Sequence, residues 1–433
     1  MKSNHKATTN KPTTTKVLKV TGMSYGGRGV ARDGGKVYFV RDGLPGDTVR
    51  AAITKEKKSF GEGYVTAITQ PSALRSPSPC RFSKDCGGCQ WLEAPLELQE
   101  AWKKDFIITA LRKADISCHS LDDFFSSPKS NHYRNRSQFK LSLRGKKLTI
   151  GFFKEKSRDI VSVDTCFIVD KSINQALRII KQLEYPESIV IESGSLEIQH
   201  SLDNQIIINL TVSKFVESKN TSTFIETLQK ALPIALVSFN HSQSEPSFIY
   251  DKQNEFQYKS APGQFQQINI AGNHKLRDIV KELVSEINPG FILDLFCGSG
   301  NLCLQLAENN RELLGVELSE SAIALADENA KINHVDRIEF VSKDSLTFLK
   351  NYKLPDKKSL VICDPPRAGL LDTAQLLQEL KPHAIIYISC DPNTFARDAK
   401  VFVDGGYVMK RVYGFDFFPH TYHVETCGLF ELS

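Results

Sequence analysis

Between residues 16 and 70, short apolar, β-branched runs alternate with polar positions and break at glycine-rich turns. The runs are 16–20, 36–40, 47–53 and 62–68, separated by Gly26-Gly27, Gly34-Gly35 and the stretch 43–46. Period-two alternation buries every second side chain, and regular turns fold short strands back on one another, so a small β-barrel is expected over 16–70. Pro71, Pro77 and Pro79 then mark a boundary. Leu98, Trp102, Phe106, Ile107 and Leu111 recur at helical spacing and predict an amphipathic helix over 96–114. Further strand-like runs at 138–143, 149–153 and 205–212 predict a mixed α+β central domain over 71–264.

From 265 onward, strand-like and helical stretches alternate. Apolar runs at 291–296, 313–318, 338–341, 360–363 and 385–389 are separated by helical patterns such as 320–331 and 373–380. Nearly continuous apolar runs suit strands buried on both faces, and alternation with helices suits βαβ units. A Rossmann-like, doubly wound α/β domain is expected over 265–433, with 424–432 as a last strand after the segment 407–418.

Length and charge refine this picture without changing it. At 433 residues the chain exceeds one compact core, and 41% apolar with 24% charged residues is ordinary globular composition. The net charge of +5 is mild, but residues 1–15 form a polar, lysine-bearing tail expected to be disordered. That tail lacks the apolar core of a secretion signal, and no apolar run reaches membrane-spanning length, so a cytoplasmic chain with no membrane contact is expected. Nothing in the pattern calls for an obligate protein partner. Ten cysteines in a reducing compartment are expected to be free or metal-bound, and Cys80, Cys86 and Cys89 form a cluster that points first to metal.

Candidate chemistry gathers at the strand ends of the last domain. The run Phe291-Ile-Leu-Asp294-Leu-Phe296-Cys-Gly298-Ser-Gly300-Asn301 reads as a strand, a glycine turn and a helix start, where backbone can approach a ligand closely. Leu302-Cys303 stands where a dinucleotide fingerprint has its third glycine, which disfavours NAD. Asp294 would repel a pyrophosphate but suits a cation. Glu317, Asp344 and Asp364 follow the next three strands, and four strand-end acids in register describe a pocket for the sulfonium nucleoside S-adenosylmethionine. The same acids could also serve as helix caps.

Cys390 ends the run 385–390, and Glu425 opens a later apolar run. A methyl transfer that needs a cysteine implies a carbon that is poorly nucleophilic by itself, such as C5 of a pyrimidine. Thiolate addition at C6 activates C5, and a base must afterwards remove the C5 proton; Cys390 and Glu425 suit those two roles. Asp364 could bond the uracil edge or the cofactor. The competing reading of Cys390 is a buried structural thiol. Cys297, Cys303, Cys363 and Cys427 are read as core, and His420 and His423 as structural.

These motifs resemble the RNA uracil-5-methyltransferase family across essentially the whole chain. The resemblance rests on Asp294-Leu-Phe-Cys-Gly-Ser-Gly-Asn301, Asp364-Pro-Pro-Arg-Ala-Gly369, Ser389-Cys390-Asp-Pro and Pro419-His-Thr-Tyr-His-Val-Glu425. It implies Cys390 as nucleophile, Glu425 as base, and a cofactor site at Gln267, Phe296, Asn301, Glu317, Asp344 and Asp364. Asp344 departs from members that carry asparagine there. Cys80, Cys86 and Cys89 with the distant Cys166 resemble the iron–sulfur ligands of the ribosomal RNA enzymes; four thiolates suit a [4Fe–4S] cluster, and their spacing also allows zinc. Cys118 is a rival fourth ligand. Residues 16–70, with Ser24-Tyr-Gly-Gly-Arg-Gly29 and Leu44-Pro-Gly-Asp47, look like a TRAM domain, an RNA-binding barrel. Together these features imply methylation of a uridine in 23S rRNA. The alternatives are a tRNA uridine or cytosine-5 methyltransferase, and a non-catalytic RNA-binding assembly factor.

Overall fold

A computed structural model describes residues 14–202, 205–215, 219–232, 235–239, 248–307 and 311–433. The basic tail expected over 1–15 lies outside the described residues up to position 13.

The first five strands are β1 (Thr14–Ser24), β2 (Arg28–Asp33), β3 (Lys36–Arg41), β4 (Thr48–Glu56) and β5 (Phe60–Gln70). They close into a barrel in the order β1-β2-β3-β5-β4, around Leu18, Val20, Tyr38, Val40, Val49 and Ile53. The Asp47 carboxylate, fully buried, accepts from the Leu44 and Ser72 amides at 2.7 and 2.8 Å and from Arg75, tying the barrel to the segment that follows it. The polar strand β2 is absent from the sequence expectation; only its glycine-bounded hairpin position announces it.

Next come helix α1 (Leu96–Lys113) and a short strand, β6 (Asp123–Phe125). The strands β7 (Arg136–Arg144), β8 (Lys147–Phe153), β9 (Ile160–Ser162), β10 (Val190–His200), β11 (Ile206–Phe215) and β12 (Ala235–Phe239) form one sheet. Helices α2 (Lys171–Gln182) and α3 (Lys219–Ala231) fall within this stretch of chain, and Ile173, Leu177 and Phe224 pack with strand residues such as Phe139 and Ile198. A hairpin, β13 (Ile249–Gln253) and β14 (Phe256–Ser260), leads into the last sheet.

That sheet is built from α4 (Ile270–Ile287), β15 (Phe291–Leu295), β16 (Glu312–Glu317), α5 (Glu320–Ile332), β17 (Ile338–Ser342), α6 (Ser345–Leu349), β18 (Ser359–Cys363), α7 (Asp372–Leu380), β19 (Ala384–Ser389), α8 (Pro392–Asp404), β20 (Tyr407–Phe415) and β21 (Glu425–Leu432). Its order is β17-β16-β15-β18-β19-β21-β20-β6. Strand residues alternate strictly between two helical layers. Val361, Ile385 and Tyr387 pack with α7 and α8, whereas Ile362, Ile386 and Ile388 pack with α4. The order reverses between β15 and β18, which opens a crevice at their carboxyl ends.

Two features depart from a simple reading of the chain. The last strand, β21, inserts antiparallel between β19 and β20. Helix α1 and strand β6, which the sequence places with the central segment, pack on this last sheet instead: Ile107 and Leu111 join its core, and β6 pairs with β20. Among the described residues, no helix is long and apolar enough to cross a membrane.

Candidate active site

The glycine turn follows β15 at the switch point. Gly300 has φ +87°, and a Cβ there would meet Leu304 at 2.8 Å, so no other residue fits this backbone without strain. Phe296 also adopts a left-handed backbone, with φ +63°. Glu317, ending β16, accepts from the Gly298 amide at 3.3 Å and from the Ser319 amide at 3.0 Å. This strand-end acid thus braces the glycine turn.

Asn301 is held from behind. Its Oδ1 accepts from Arg277 Nη2 at 2.7 Å and from Asn273 Nδ2 at 2.9 Å, and its carbonyl accepts from Arg277 Nε at 3.0 Å. Arg277 is buried, pairs with Asp251 at 2.8 Å and stacks over the Tyr258 ring. Sequence reasoning missed this arginine because its partners lie in the preceding hairpin and the following turn. Gln267 sits in the half-buried segment before α4, whose neighbouring carbonyls Gln264 and Gln266 accept from Arg136. Asp344 is exposed and caps α6, accepting from Thr347 N at 2.9 Å and Thr347 Oγ1 at 2.8 Å. It is the one strand-end acid for which the capping alternative is realised in full.

The remaining acids stand close enough to raise one another. Asp294 is almost fully buried, and burial pushes its carboxyl up to about 7 against hydrogen bonding from Cys303, with Asp364 and Glu317 adding to the rise. Burial lifts Asp364 to about 6. Glu425, 4% exposed, is lifted to about 8 by burial and then by Asp364. Recessed carboxylates that raise one another suit a positively charged guest, which would relieve both desolvation and like-charge repulsion.

Cys390 and Glu425 end neighbouring antiparallel strands. Ser389 of β19 pairs with Thr426 of β21, so the two residues stand one position beyond that pair. The half-buried Cys390 thiol is pushed up to about 12 by burial, then by Glu425 and Asp364, while Arg367 acts in the opposite direction. Arg367 approaches Asp391 at 3.6 Å, and Asp391 caps α8. Gly369, at φ +80° in the same loop, leaves no room for a Cβ, which would come within 2.2 Å of Thr394. Burial lowers both His420 and His423 to about 4, so neither ring is positively charged near neutrality.

The barrel reaches this site. Tyr25 Oη lies 3.5 Å from the Cys390 carbonyl, and its ring meets Tyr422 edge-on at 5.3 Å. Tyr25 and Tyr422 also line a cleft of about 550 Å³, with Phe39, Arg41 and Phe60 on the barrel side.

Cys80, Cys86, Cys89 and Cys166 come within electrostatic reach of one another. Cys89 is raised first by burial and then by Cys166, Cys86 and Cys80. The Arg134 guanidinium pulls Cys86, Cys89 and Cys166 the other way, and its buried Nε has no hydrogen-bond partner among the described residues. Cys118 packs instead against the core of the last sheet, its thiol donating to the Ser120 carbonyl at 3.3 Å. Among the described residues, no three His, Cys, Asp or Glu side chains are gathered so as to hold a metal ion.

Residues 97–432 match the family described as tRNA (uracil-5-)-methyltransferase, and residues 12–66 match the TRAM domain. The chain is similar to the 23S rRNA (uracil(1939)-C(5))-methyltransferase RlmD of Shewanella halifaxensis, with 30% identity over 99% of this chain and 98% of the relative. It is also similar to an uncharacterised RNA methyltransferase of Caldanaerobacter subterraneus, with 31% identity over 96% and 98% of the two chains. The fold is that of a Pyrococcus abyssi tRNA (uracil-54, C5)-methyltransferase solved with S-adenosyl-L-homocysteine. That comparison has a TM-score of 0.72 at 24% identity and covers 96% of this chain and 99% of the other.

Proposed function

This chain belongs to the tRNA (uracil-5-)-methyltransferase family, whose members are RNA uracil-C5 methyltransferases, and we propose that it methylates C5 of a uridine in 23S rRNA through Cys390 and Glu425. The observation that carries the reading is the placement of Cys390 and Glu425 at adjoining strand ends, beside the recessed acids. Bound S-adenosylmethionine supplies an electrophilic methyl group on a sulfonium. Asp294, Glu317 and Asp364 suit that cation by charge, and Phe296, Asn301, Gln267 and Asp344 complete the proposed cofactor site.

Cys390 acts as a thiolate and bonds to C6 of the uracil, moving electron density onto C5 and O4. C5 then bonds the methyl carbon as the methyl–sulfur bond breaks, its electron pair leaving with the thioether. Glu425 takes the C5 proton, the C6–sulfur bond breaks, and the thiolate is restored. Arg367 supplies the positive charge that the thiolate needs. The target base must leave its stack to reach this recess, at a cost of about a few kcal/mol. The aromatic barrel cleft beside Tyr422, whose Arg28 and Arg41 are paired with Glu62 and Glu155, offers flanking nucleotides rings on which to stack.

The four cysteines Cys80, Cys86, Cys89 and Cys166 would hold a [4Fe–4S] cluster. Four thiols with no oxygen or nitrogen donor among them would suit it by donor chemistry, and the Arg134 guanidinium would offer a counter-charge. A single zinc ion would instead need all four sulfurs at about 2.3 Å from one centre. Methyl transfer consumes no electron, so the cluster's role is structural. The domains proposed are the barrel over 16–70, the cluster-bearing segment over 71–264 and the methyltransferase domain over 265–433.

The test is mass spectrometry of ribosomal and transfer RNA from cells lacking the protein. Loss of 5-methyluridine from one 23S rRNA fragment is expected, and the uridine equivalent to the one the RlmD relatives modify is the first to inspect. Loss from tRNA alone would overturn the substrate. Normal methylation in cells carrying only Cys390→Ala would make the chain a binding factor.

A further inference from the structure

Glu425 is delivered by the loop 416–424, which connects β20 to β21; Phe415 and Glu425 face each other at its base. That loop is held by a helix more than three hundred positions earlier in the chain. Lys103 of α1, fully buried, donates to Asp416 Oδ1 at 2.6 Å and to the Phe418 carbonyl at 3.1 Å. One helical turn before it, Gln99 is equally buried. Its Oε1 accepts from the His420 amide at 2.7 Å, and its Nε2 donates to the carbonyls of Trp91 at 3.1 Å and Ala94 at 2.8 Å.

His420 is the bend in the loop, with φ +67°, a conformation that a non-glycine residue holds only when its surroundings impose it. Its carbonyl accepts from the amides of Gln90 and Trp91 at 3.0 and 3.1 Å, immediately after Cys89. Tyr133 Oη donates to the Pro419 carbonyl at 3.1 Å. Gln99 and Lys103 thus bond to the loop that delivers the base, whereas the Cys390 carbonyl takes its bond from Tyr25 of the barrel.

We propose that Gln99 and Lys103 are positioning residues for Glu425, fixing the loop so that the carboxylate reaches the C5 proton of the covalent adduct. This rests on the reading of Glu425 as the base. It predicts an effect confined to the second half of the reaction: adduct formation at Cys390 proceeds, and adduct breakdown slows.

The experiment follows the RNA–protein adduct in single turnovers with S-adenosylmethionine, by denaturing electrophoresis. Two variants are used: Gln99→Met, and Lys103→Met combined with Asp416→Leu so that no buried charge is stranded. Adduct formation should stay within about twofold of wild type, while its decay slows by roughly ten- to hundredfold, as expected for a base displaced by about an ångström. Equal slowing of both phases, or unchanged decay, would overturn the proposal. Should neither variant unfold cooperatively, Tyr133→Phe removes a single donor to the loop and must show the same asymmetry at smaller size. Glu425→Gln separates the two ideas: if it fails to trap the adduct, the base assignment is wrong, and if it traps while Gln99→Met does not, only the positioning role is lost.

Discussion

Cys390 and Glu425 stand one residue beyond the Ser389–Thr426 pair of two antiparallel strands, and the carboxylate opposes ionisation of the thiol. Both groups must nonetheless lose their protons during a turnover. With the thiol pushed up to about 12 and the carboxyl to about 8, the rate should rise with pH from 7 to 9. Arg367 counters the rise at Cys390, so Arg367→Gln should lower the rate at neutral pH by roughly tenfold for each unit of further shift and move the rise to higher pH. Single-turnover pH profiles of the two proteins check this; coincident profiles would exclude a role for Arg367 at the thiol.

Glu425 also taxes the fold. Its folded value lies above its unfolded one, so between about 4.5 and 8 the native state retains a proton that the unfolded chain releases, and stability falls as pH rises through that window. Glu425→Gln removes the penalty. Its stability gain over wild type should be larger at pH 8.5 than at pH 6, by on the order of 2 kcal/mol. Denaturant unfolding at the two pH values measures the difference, and an equal gain at both would contradict the buried, proton-retaining carboxyl.

Arg277→Lys keeps the charge but loses the fork that grips Asn301 and Asp251. Cofactor affinity should weaken by roughly five- to thirtyfold, equivalent to about 1–2 kcal/mol, with RNA affinity unchanged. Calorimetric titration with S-adenosylhomocysteine, alongside an RNA-binding assay, separates the two.

Protein purified without oxygen should be brown and carry about four iron atoms per chain. Cys89→Ser should lose iron and colour, whereas Cys118→Ser should keep both, because Cys118 packs in another core. Colourless protein with stoichiometric zinc would replace the cluster by a single-ion site.

The sheet bearing the site was legible because its central strands β15, β18 and β19 are buried on both faces and read as largely apolar runs. The strand-end residues were legible because they stand next to those runs. Lys103 was not: a lysine on an otherwise apolar helical stripe has no local signature of a partner at Asp416. Arg277 escaped for the same reason, as did the contact of Tyr25 with Cys390, since these partners are fixed by tertiary packing. Three-residue β6 carries no periodicity at all, and β21 shows its apolar character but not its antiparallel insertion.

Strand β6 has a consequence for how the molecule comes into being. It completes the edge of a sheet whose adjoining strand, β20, lies about 290 positions later, and the Val412 amide bonds to Asp122 across that interval at 2.7 Å. On the ribosome, β6 emerges early and must wait, unpaired, for nearly the whole remaining polypeptide. Such distant pairings make for slow folding and for a vulnerable interval during synthesis. A fragment begun at residue 265 would also start life with a bare sheet edge, so this catalytic unit cannot be cut free at the point where its strand–helix alternation begins.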